Sequence, residues 1–374
     1  MKIKKMVTVF LISIFWLLIQ ESFLFPQMVF TKEKEVILPI ANADLPLFFS
    51  TGDDAGCNIM FWNLKQEMEF QFLDRDFKLL SKKTLRRGQG PGEVLNPFWY
   101  GNDDKHIVIY DAPAKRYLLF DKDFKFFHHI QLPELGQFLY FGFRYIPDHN
   151  LVLDGVELRK TPEKSELGVL LIGLEKDRVT EAKKIYSKDY LKSNKQTGAM
   201  NVLSSIHFRY FDDSVFILDC DLYRIQKIDL NGKIVKVTTQ PFKKRSFSRD
   251  LREKWLLEIF KKREISRFDY PAELWPACWI IPLRNCFAVG IRDNYGEQKS
   301  GMIKVDYFDF DLRYLGTGEM PYFPGWNDLD GQRAAGSFIY YNPHVDRLYI
   351  MSENEGEEIQ ISVWKAGSAP AKGK

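Results

Sequence analysis

One turn signature, repeated at near-constant spacing, limits this chain to few folds. Apolar residues are followed by Asp, a spacer, Asp or Asn, a second spacer and a base. It reads Phe72-Leu73-Asp74-Arg75-Asp76-Phe77-Lys78, then Leu119-Phe120-Asp121-Lys122-Asp123-Phe124-Lys125, then Lys227-Ile228-Asp229-Leu230-Asn231-Gly232-Lys233, then Tyr307-Phe308-Asp309-Phe310-Asp311-Leu312-Arg313. Asp74 and Asp121 are 47 residues apart, and the 108 residues from Asp121 to Asp229 halve at a degraded copy, Leu174-Glu175-Lys176-Asp177-Arg178. Asp229 and Asp309 are 80 apart, so an insertion falls between them, and a worn sixth copy reads Val363-Trp364-Lys365-Ala366-Gly367. A strand-rich unit repeated at this period means a propeller or a solenoid.

Within a unit, short apolar runs alternate with turn residues: Ile107–Asp111, Tyr117–Asp121 and Phe126–Leu132 in one, Val215–Asp219, Arg224–Asp229 and Ile234–Val237 in another. About 45 to 55 residues suffice for four strands, the blade of a β-propeller, whereas a solenoid coil is usually shorter. The expectation is an all-β, six-bladed propeller of four-stranded blades at 46–86, 97–134, 140–187, 205–240, 276–318 and 336–365. Aromatic residues make up 15% of the chain, 31 of them Phe, which suits wedges buried between neighbouring blades. The insertion, about 245–270, reads as helical. Leu251, Trp255, Leu256, Ile259 and Phe260 share one face of 249–263, Asp250 with Glu253 fits a capping box, and the mostly basic opposite face suits a lid.

Between the first two blades stands Arg86-Arg87-Gly88-Gln89-Gly90-Pro91-Gly92-Glu93-Val94-Leu95-Asn96-Pro97. This Gly-x-Gly-Pro-Gly-Glu stretch, with a strand pair after it, resembles the exported bacterial six-bladed propellers related to the NHL and TolB-like propellers. The resemblance covers most of the chain after residue 45 and implies the architecture, not a chemistry. As a phosphate cradle the loop lacks Lys-Ser/Thr and a following helix, and Pro91 removes a donor, so a structural turn is the expectation.

Lys2, Lys4 and Lys5 precede a 14-residue apolar core, Met6–Ile19. This is a Sec-type signal by pattern, short for a membrane span, though the second apolar run Phe23–Phe30 would let an uncleaved segment act as an anchor. Residues 1–30 are therefore read as signal or anchor, 45–365 as the propeller and 366–374 as a disordered tail. The formal charge is +3 and drops to +1 without residues 1–22, so nothing suggests a polyanion-binding surface and no nucleic-acid partner is expected. Cys57, Cys220, Cys278 and Cys286 fit no zinc spacing. Apolar contexts favour buried thiols, and Cys278 with Cys286 is the only pair close in sequence.

Ligands of propellers meet the mouth of the central channel, which the first strand of each blade lines. Those strands are expected at 47–50, 98–100, 141–146, 207–211, 278–281 and 337–341. Phe143-Arg144-Tyr145 aligns with Phe208-Arg209-Tyr210, which would bring Arg144 and Arg209 together as a carboxylate or phosphate clamp. The alternative is pairing with Asp154, Asp212 or Asp219. Trp99, Tyr100, Trp279, Tyr340 and Tyr341 could floor a sugar or peptide site, or fill blade cores. Of the six His, only His207 falls on such a strand, and no recurring position builds a three-His metal site. The Asp-x-Asp copies lack the Gly and terminal Glu of a calcium loop and read as turns, and no Gly-x-Ser-x-Gly elbow occurs. The reading is an exported, monomeric module that binds a protein or small molecule, with Trp99, Arg144, Arg209, His207, Trp279 and Tyr340 as candidate contacts and no cofactor. The alternative is a metal-dependent hydrolase or lyase with a divalent ion such as calcium in the channel.

Overall fold

Runs such as Ile107-Val108-Ile109-Tyr110 are apolar at every position, so a strand built from them must be covered on both faces. The structure, a computed structural model, covers them with neighbouring sheets in an all-β propeller. It describes residues 28–38, 44–49, 57–62, 68–74, 76–95, 97–102, 106–111, 113–121, 123–132, 138–146, 149, 151–161, 164–175, 178–193, 200–202, 206–242, 268–269, 277–291, 302–321, 339–342, 345–353 and 359–368, some strand positions by backbone alone.

In chain order, β1 (Met28–Ile37) is followed by β2 (Asp44–Phe49), β3 (Cys57–Trp62), β4 (Met68–Leu73) and β5 (Leu79–Leu85), which form one four-stranded blade. A second blade holds β6 (Pro97–Asn102), β7 (His106–Asp111), β8 (Arg116–Asp121) and β9 (Phe126–Gln131). Next come β10 (Phe138–Ile146), β11 (Leu151–Thr161), β12 (Lys164–Glu175), β13 (Arg178–Ser193) and β14 (Met200–Val202), then a blade of β15 (Ile206–Phe211), β16 (Ser214–Asp219), β17 (Arg224–Asp229) and β18 (Ile234–Thr239). After the two-residue β19 (Phe268–Asp269), a further blade holds β20 (Ala277–Pro282), β21 (Phe287–Ile291), β22 (Met302–Phe308) and β23 (Tyr314–Pro321). The last strands are β24 (Ile339–Asn342), β25 (Arg347–Glu353) and β26 (Ile359–Ser368).

The last sheet runs β24-β25-β26-β1, so its fourth strand comes from the other end of the chain. Met28 pairs with Ser368 and Ile37 with Gln360, antiparallel. This corrects three sequence expectations. The propeller begins at residue 28 rather than 45, Ala366–Ser368 are strand rather than tail, and Val363–Gly367 form no turn but the body of β26. The strand beside β26 arrives from the N-terminal side.

The sheet β10-β11-β12-β13-β14-β19 also departs from expectation. Its β11, β12 and β13 are 11, 12 and 16 residues long against six in β7 or β16. β19 lies within the insertion after β18 yet pairs in parallel with β14, Met200 with Phe268 and Asn201 with Asp269. The helix expected at 245–270 lies outside the described residues except for 268–269, which are strand.

Burial follows position in the blade. β7 and β16 are buried at nearly every residue, whereas β5 and β18, at the outer edge, are mostly exposed. Apolar layers fill the seams between consecutive sheets, for example Phe216, Leu218 and Ile225 against Ala277, Phe287 and Phe308. Tyrosines tie the seams at their ends. Tyr186 donates to Asp219 Oδ2 (2.8 Å), and Tyr223 donates to Asp306.

The repeated signature is the hairpin between a blade's third and fourth strands. Oδ1 of Asp74, Asp229 and Asp309 accepts the amides two and four residues on, at 2.8–2.9 Å, and Oδ1 of Asp121 accepts the Lys125 amide at 2.7 Å. These are Asx turns, with the carboxylate folded onto its own loop. The fourth turn residue is left-handed in each: Phe77 (φ 63°), Phe124 (61°), Gly232 (76°) and Leu312 (59°). For a side chain this costs roughly 1–2 kcal/mol. Burying a Phe or Leu returns about 1.5–3 kcal/mol, so burial wins. Phe124 packs on Phe70 of the preceding blade (4.0 Å between centroids), Phe77 on Tyr349, and Leu312 is 2% exposed. At Gly232 a Cβ would stand 2.8 Å from Ile185 Cγ2, which leaves room only for glycine.

Candidate functional site

Two pairs of first strands meet between neighbouring sheets: β10 lies against β6, and β15 against β20. The expected channel-lining segments fall on β2, β6, β10, β15, β20 and β24. In β10, Arg144 stands opposite Leu153 and Tyr145 opposite Val152; in β15, Arg209 stands opposite Phe216 and Tyr210 opposite Val215. Ile146, two residues from Arg144, packs into the layer between its own sheet and the next, and Phe216 packs one seam further on. Arg144 and Arg209 each stand two residues before the end of the first strand of their sheet.

Their charges interact. Burial first, and then the Arg144 guanidinium, push the Arg209 pKa down to about 10. Arg209 Nη1 donates to the Phe208 carbonyl at 2.8 Å. Of the acids weighed as partners, Asp219 is fully buried and meets Lys188 Nζ (2.6 Å), Arg224 Nη2 (3.0 Å) and the Tyr186 hydroxyl. Asp212 sits exposed in the β15–β16 hairpin, and the Asp154 side chain lies outside the described residues.

The other candidates separate. His207 lies two residues before Arg209 in β15 and is 7% exposed. Trp279 is 2% exposed and packs with Ile281, Leu283 and Leu348 between the last two sheets, so it is core and not a channel-mouth residue. Its β20 position corresponds to a face closed by the next sheet, which strand periodicity alone cannot show. Trp99 and Tyr340 lie in β6 and β24 by backbone, with side chains outside the described residues. Cys220 and Cys286 are buried free thiols, the latter raised to about 12 by burial. No group of three His, Cys, Asp or Glu among the described residues is placed to hold a metal ion.

The Gly-rich loop is closed on itself. Gly90 N donates to Glu93 Oε2 (2.9 Å), and a Cβ at Gly88 would stand 2.1 Å from the same oxygen. The loop's own carboxylate therefore fills the cradle that a phosphate would need. Gly92 (φ 73°) approaches Phe126 so closely that a Cβ would lie 3.0 Å from its Cβ. Arg116 anchors the loop from beneath, donating to the Gln89 and Glu93 carbonyls (3.1 and 2.9 Å) and to Asp111 Oδ2 (3.2 Å). Sequence reading missed this anchor; the Asp-x4-Arg spacing recurs as Asp219 and Arg224 and could have signalled it.

A second charged cluster spans the seam between β13 and the β16–β17 hairpin. Lys188 bridges Asp219 and Asp221. Burial, then the Asp219 carboxylate beside it, raises Asp221 to about 6. Burial opposes ionisation of Asp219 too, but hydrogen bonds from Asp221, Lys188 and Tyr186 outweigh it and hold that carboxyl below its usual range. The pair titrates as a unit. Because the folded chain holds the Asp221 proton to about pH 6 and the unfolded chain releases it near 3.9, this pair makes the protein more stable as pH falls from 7 to 5. Below about pH 4 the contribution of Asp219 is lost. Urea midpoints of the wild type and Asp221→Asn measured from pH 5 to 7 test this. Their difference should shift with pH in the stated direction, and a difference independent of pH refutes the assignment.

No family model matches the sequence, and neither does any curated protein. Solved structures do match in fold. A member of the DUF4221 family from Bacteroides vulgatus is 13% identical over 92% of this chain and 99% of its own, with a TM-score of 0.56. A protein from Bacteroides fragilis, named as a candidate exported protein, is 12% identical over 91% of this chain and 95% of its own, with a TM-score of 0.47. At these identities the likeness concerns the fold. No helix among the described residues is long and apolar enough to cross a membrane.

Proposed function

We propose that this protein is an exported six-bladed propeller of the NHL/TolB-like kind that works as a binding or scaffolding module. What supports a count of six is the six-stranded sheet, read as a third blade widened by β14 and β19 beside five four-stranded sheets. Export rests on the basic, apolar N-terminal segment, with periplasmic release or an N-terminal tether as its two forms. The observation that carries the binding reading is the placement of Arg144 and Arg209 on β10 and β15, each the first strand of its sheet. Guanidinium groups on the strands that line a propeller's channel suit a carboxylate or phosphate of a ligand.

Metal analysis of the purified mature protein, with thermal melts in calcium, zinc and EDTA, tests the module against a metal-dependent hydrolase or lyase. The expected result is no stoichiometric metal and no shift with EDTA. One bound ion per chain, or a melting temperature several degrees lower in EDTA, would overturn the module reading and direct attention to His207 and the acids of the channel.

A further inference from the structure

Resting on the export reading, we infer that the N-terminal segment is not cut away but stays on the chain and tethers the propeller to a lipid bilayer through residues 6–25. The strand β1 decides this. Met28 pairs with Ser368, Val29 with Gly367 and Phe30 with Ala366, and Phe30 is buried among Trp279, Tyr341 and Leu348. The sheet takes up the chain from Met28 onward, so a cut that leaves it whole must fall before that residue.

A secretory signal is cut at a small-x-small, Ala-x-Ala-like site after its apolar core. Between that core and β1 the chain reads Gln20-Glu21-Ser22-Phe23-Leu24-Phe25-Pro26-Gln27, where Ser22 is the one small residue. The first small-x-small pattern after the core is Ala41-Asn42-Ala43, and a cut there would strip all of β1 from β26. The site the sequence offers costs the strand, and the stretch that would spare the strand offers no site. Met28–Phe30 of the second apolar run belong to the fold, which leaves Phe23–Phe25 for the membrane. Met6–Phe25 is 20 residues long with a single charge, Glu21, and about 20 such residues are what a bilayer's hydrocarbon core requires. Lys2, Lys4 and Lys5 at the other flank favour the cytoplasmic side, which puts the propeller outside. Pro26 and Gln27 alone then separate the bilayer from β1. Thr31 pairs with Lys365 and Lys365 with Arg347, so the tether leaves the last sheet beyond the Arg347 end of β25, and that end faces the lipid.

The test produces the full chain in a bacterial host and follows it by fractionation, intact mass and flotation. The chain is expected to sediment with membranes, to stay there through high-salt and alkaline washes, and to retain residues 6–27 by mass. Moved from detergent into phosphatidylcholine vesicles it should float with them, whereas a chain begun at Met28 should not. Protease added to spheroplasts should digest the propeller, and protease added to intact cells should not. A soluble product whose first residue lies between Gln20 and Met28, or at Asp44, overturns the tether and leaves export standing. A membrane-held chain that protease cannot reach in spheroplasts overturns the export reading and the side assigned to the propeller, not the tether. Flotation of the chain begun at Met28 would put the lipid contact on the propeller itself and overturns the inference as well.

Discussion

A chain that starts at residue 38, lacking β1, is expected to lose at least several kcal/mol of stability or to fail to fold. β1 pairs with β26 along nine positions and seats Phe30 among Trp279, Tyr341 and Leu348. It also reaches the first blade through Lys34 and β25 of its own sheet through Glu33. Lys34 lies 3.4 Å from Asp76 and over the Phe77 ring at 4.7 Å, while Glu33 accepts from Arg347 at 2.7 Å. Net hydrogen bonds at about 0.5–1.5 kcal/mol each roughly offset the entropy of ordering ten residues. The burial of Phe30 and the cover over Ala366 and Tyr341 then remain as net loss, along with an open edge on β26. Whole domains are stable by only about 5–15 kcal/mol, so a loss of this size is decisive. Calorimetry checks it, and a drop of about 5 °C or more is the expected reading for about 4 kcal/mol in a chain of this size. Because Met28 lies beside Ser368, moving residues 28–37 to follow Ser368 through a short turn should restore the sheet and the melting temperature. A shortened chain that melts like the full one would show that the ring does not depend on this strand.

The second large effect is expected at Asp111. Its carboxylate is fully buried and takes both Nε and Nη2 of Arg116, as well as the Leu95 amide at 3.3 Å. Removing one partner of a buried pair typically costs about 3–5 kcal/mol, because the other charge is left in a poor solvent. Asp111→Ala should fall in that range, toward its lower end, since the Gln89 and Glu93 carbonyls still accept from Arg116. Chemical denaturation measures the loss, and faster proteolysis within 86–95 should accompany it as the Gly-rich loop loses its anchor. Asp111→Leu combined with Arg116→Met removes both charges and should recover much of the loss in stability. The exposed pair Arg347 with Glu33 is the contrast: breaking it through Arg347→Ala should cost under about 1 kcal/mol from the ion pair itself. If Asp111→Ala proves as mild as that, the Asp111–Arg116 pair does not hold the loop.

What was legible in the sequence was the part of the structure made by neighbours in the chain. An Asx turn joins a carboxylate to amides two and four residues away, so Asp74, Asp121, Asp229 and Asp309 announce their hairpins wherever they stand. The tripeptides Phe143-Arg144-Tyr145 and Phe208-Arg209-Tyr210 align by sequence alone, and both fall on the first strand of a sheet. The glycines of 88–92 likewise spoke for a tight turn.

Tertiary structure alone decided what closes, widens and fills the ring. β1 carries none of the repeat signature, and its partner β26 lies more than 300 residues away in the chain. The parallel pairing of β19 with β14, the Glu93 carboxylate in the glycine cradle and the Lys188 bridge to Asp219 and Asp221 are also contacts between separate elements. Trp279 shows the same limit: a strand presents it to one of two faces, and only the adjoining sheet makes that face core. Local hydrogen bonding is written in spacing; which surfaces meet is set by the burial and closure of the whole chain.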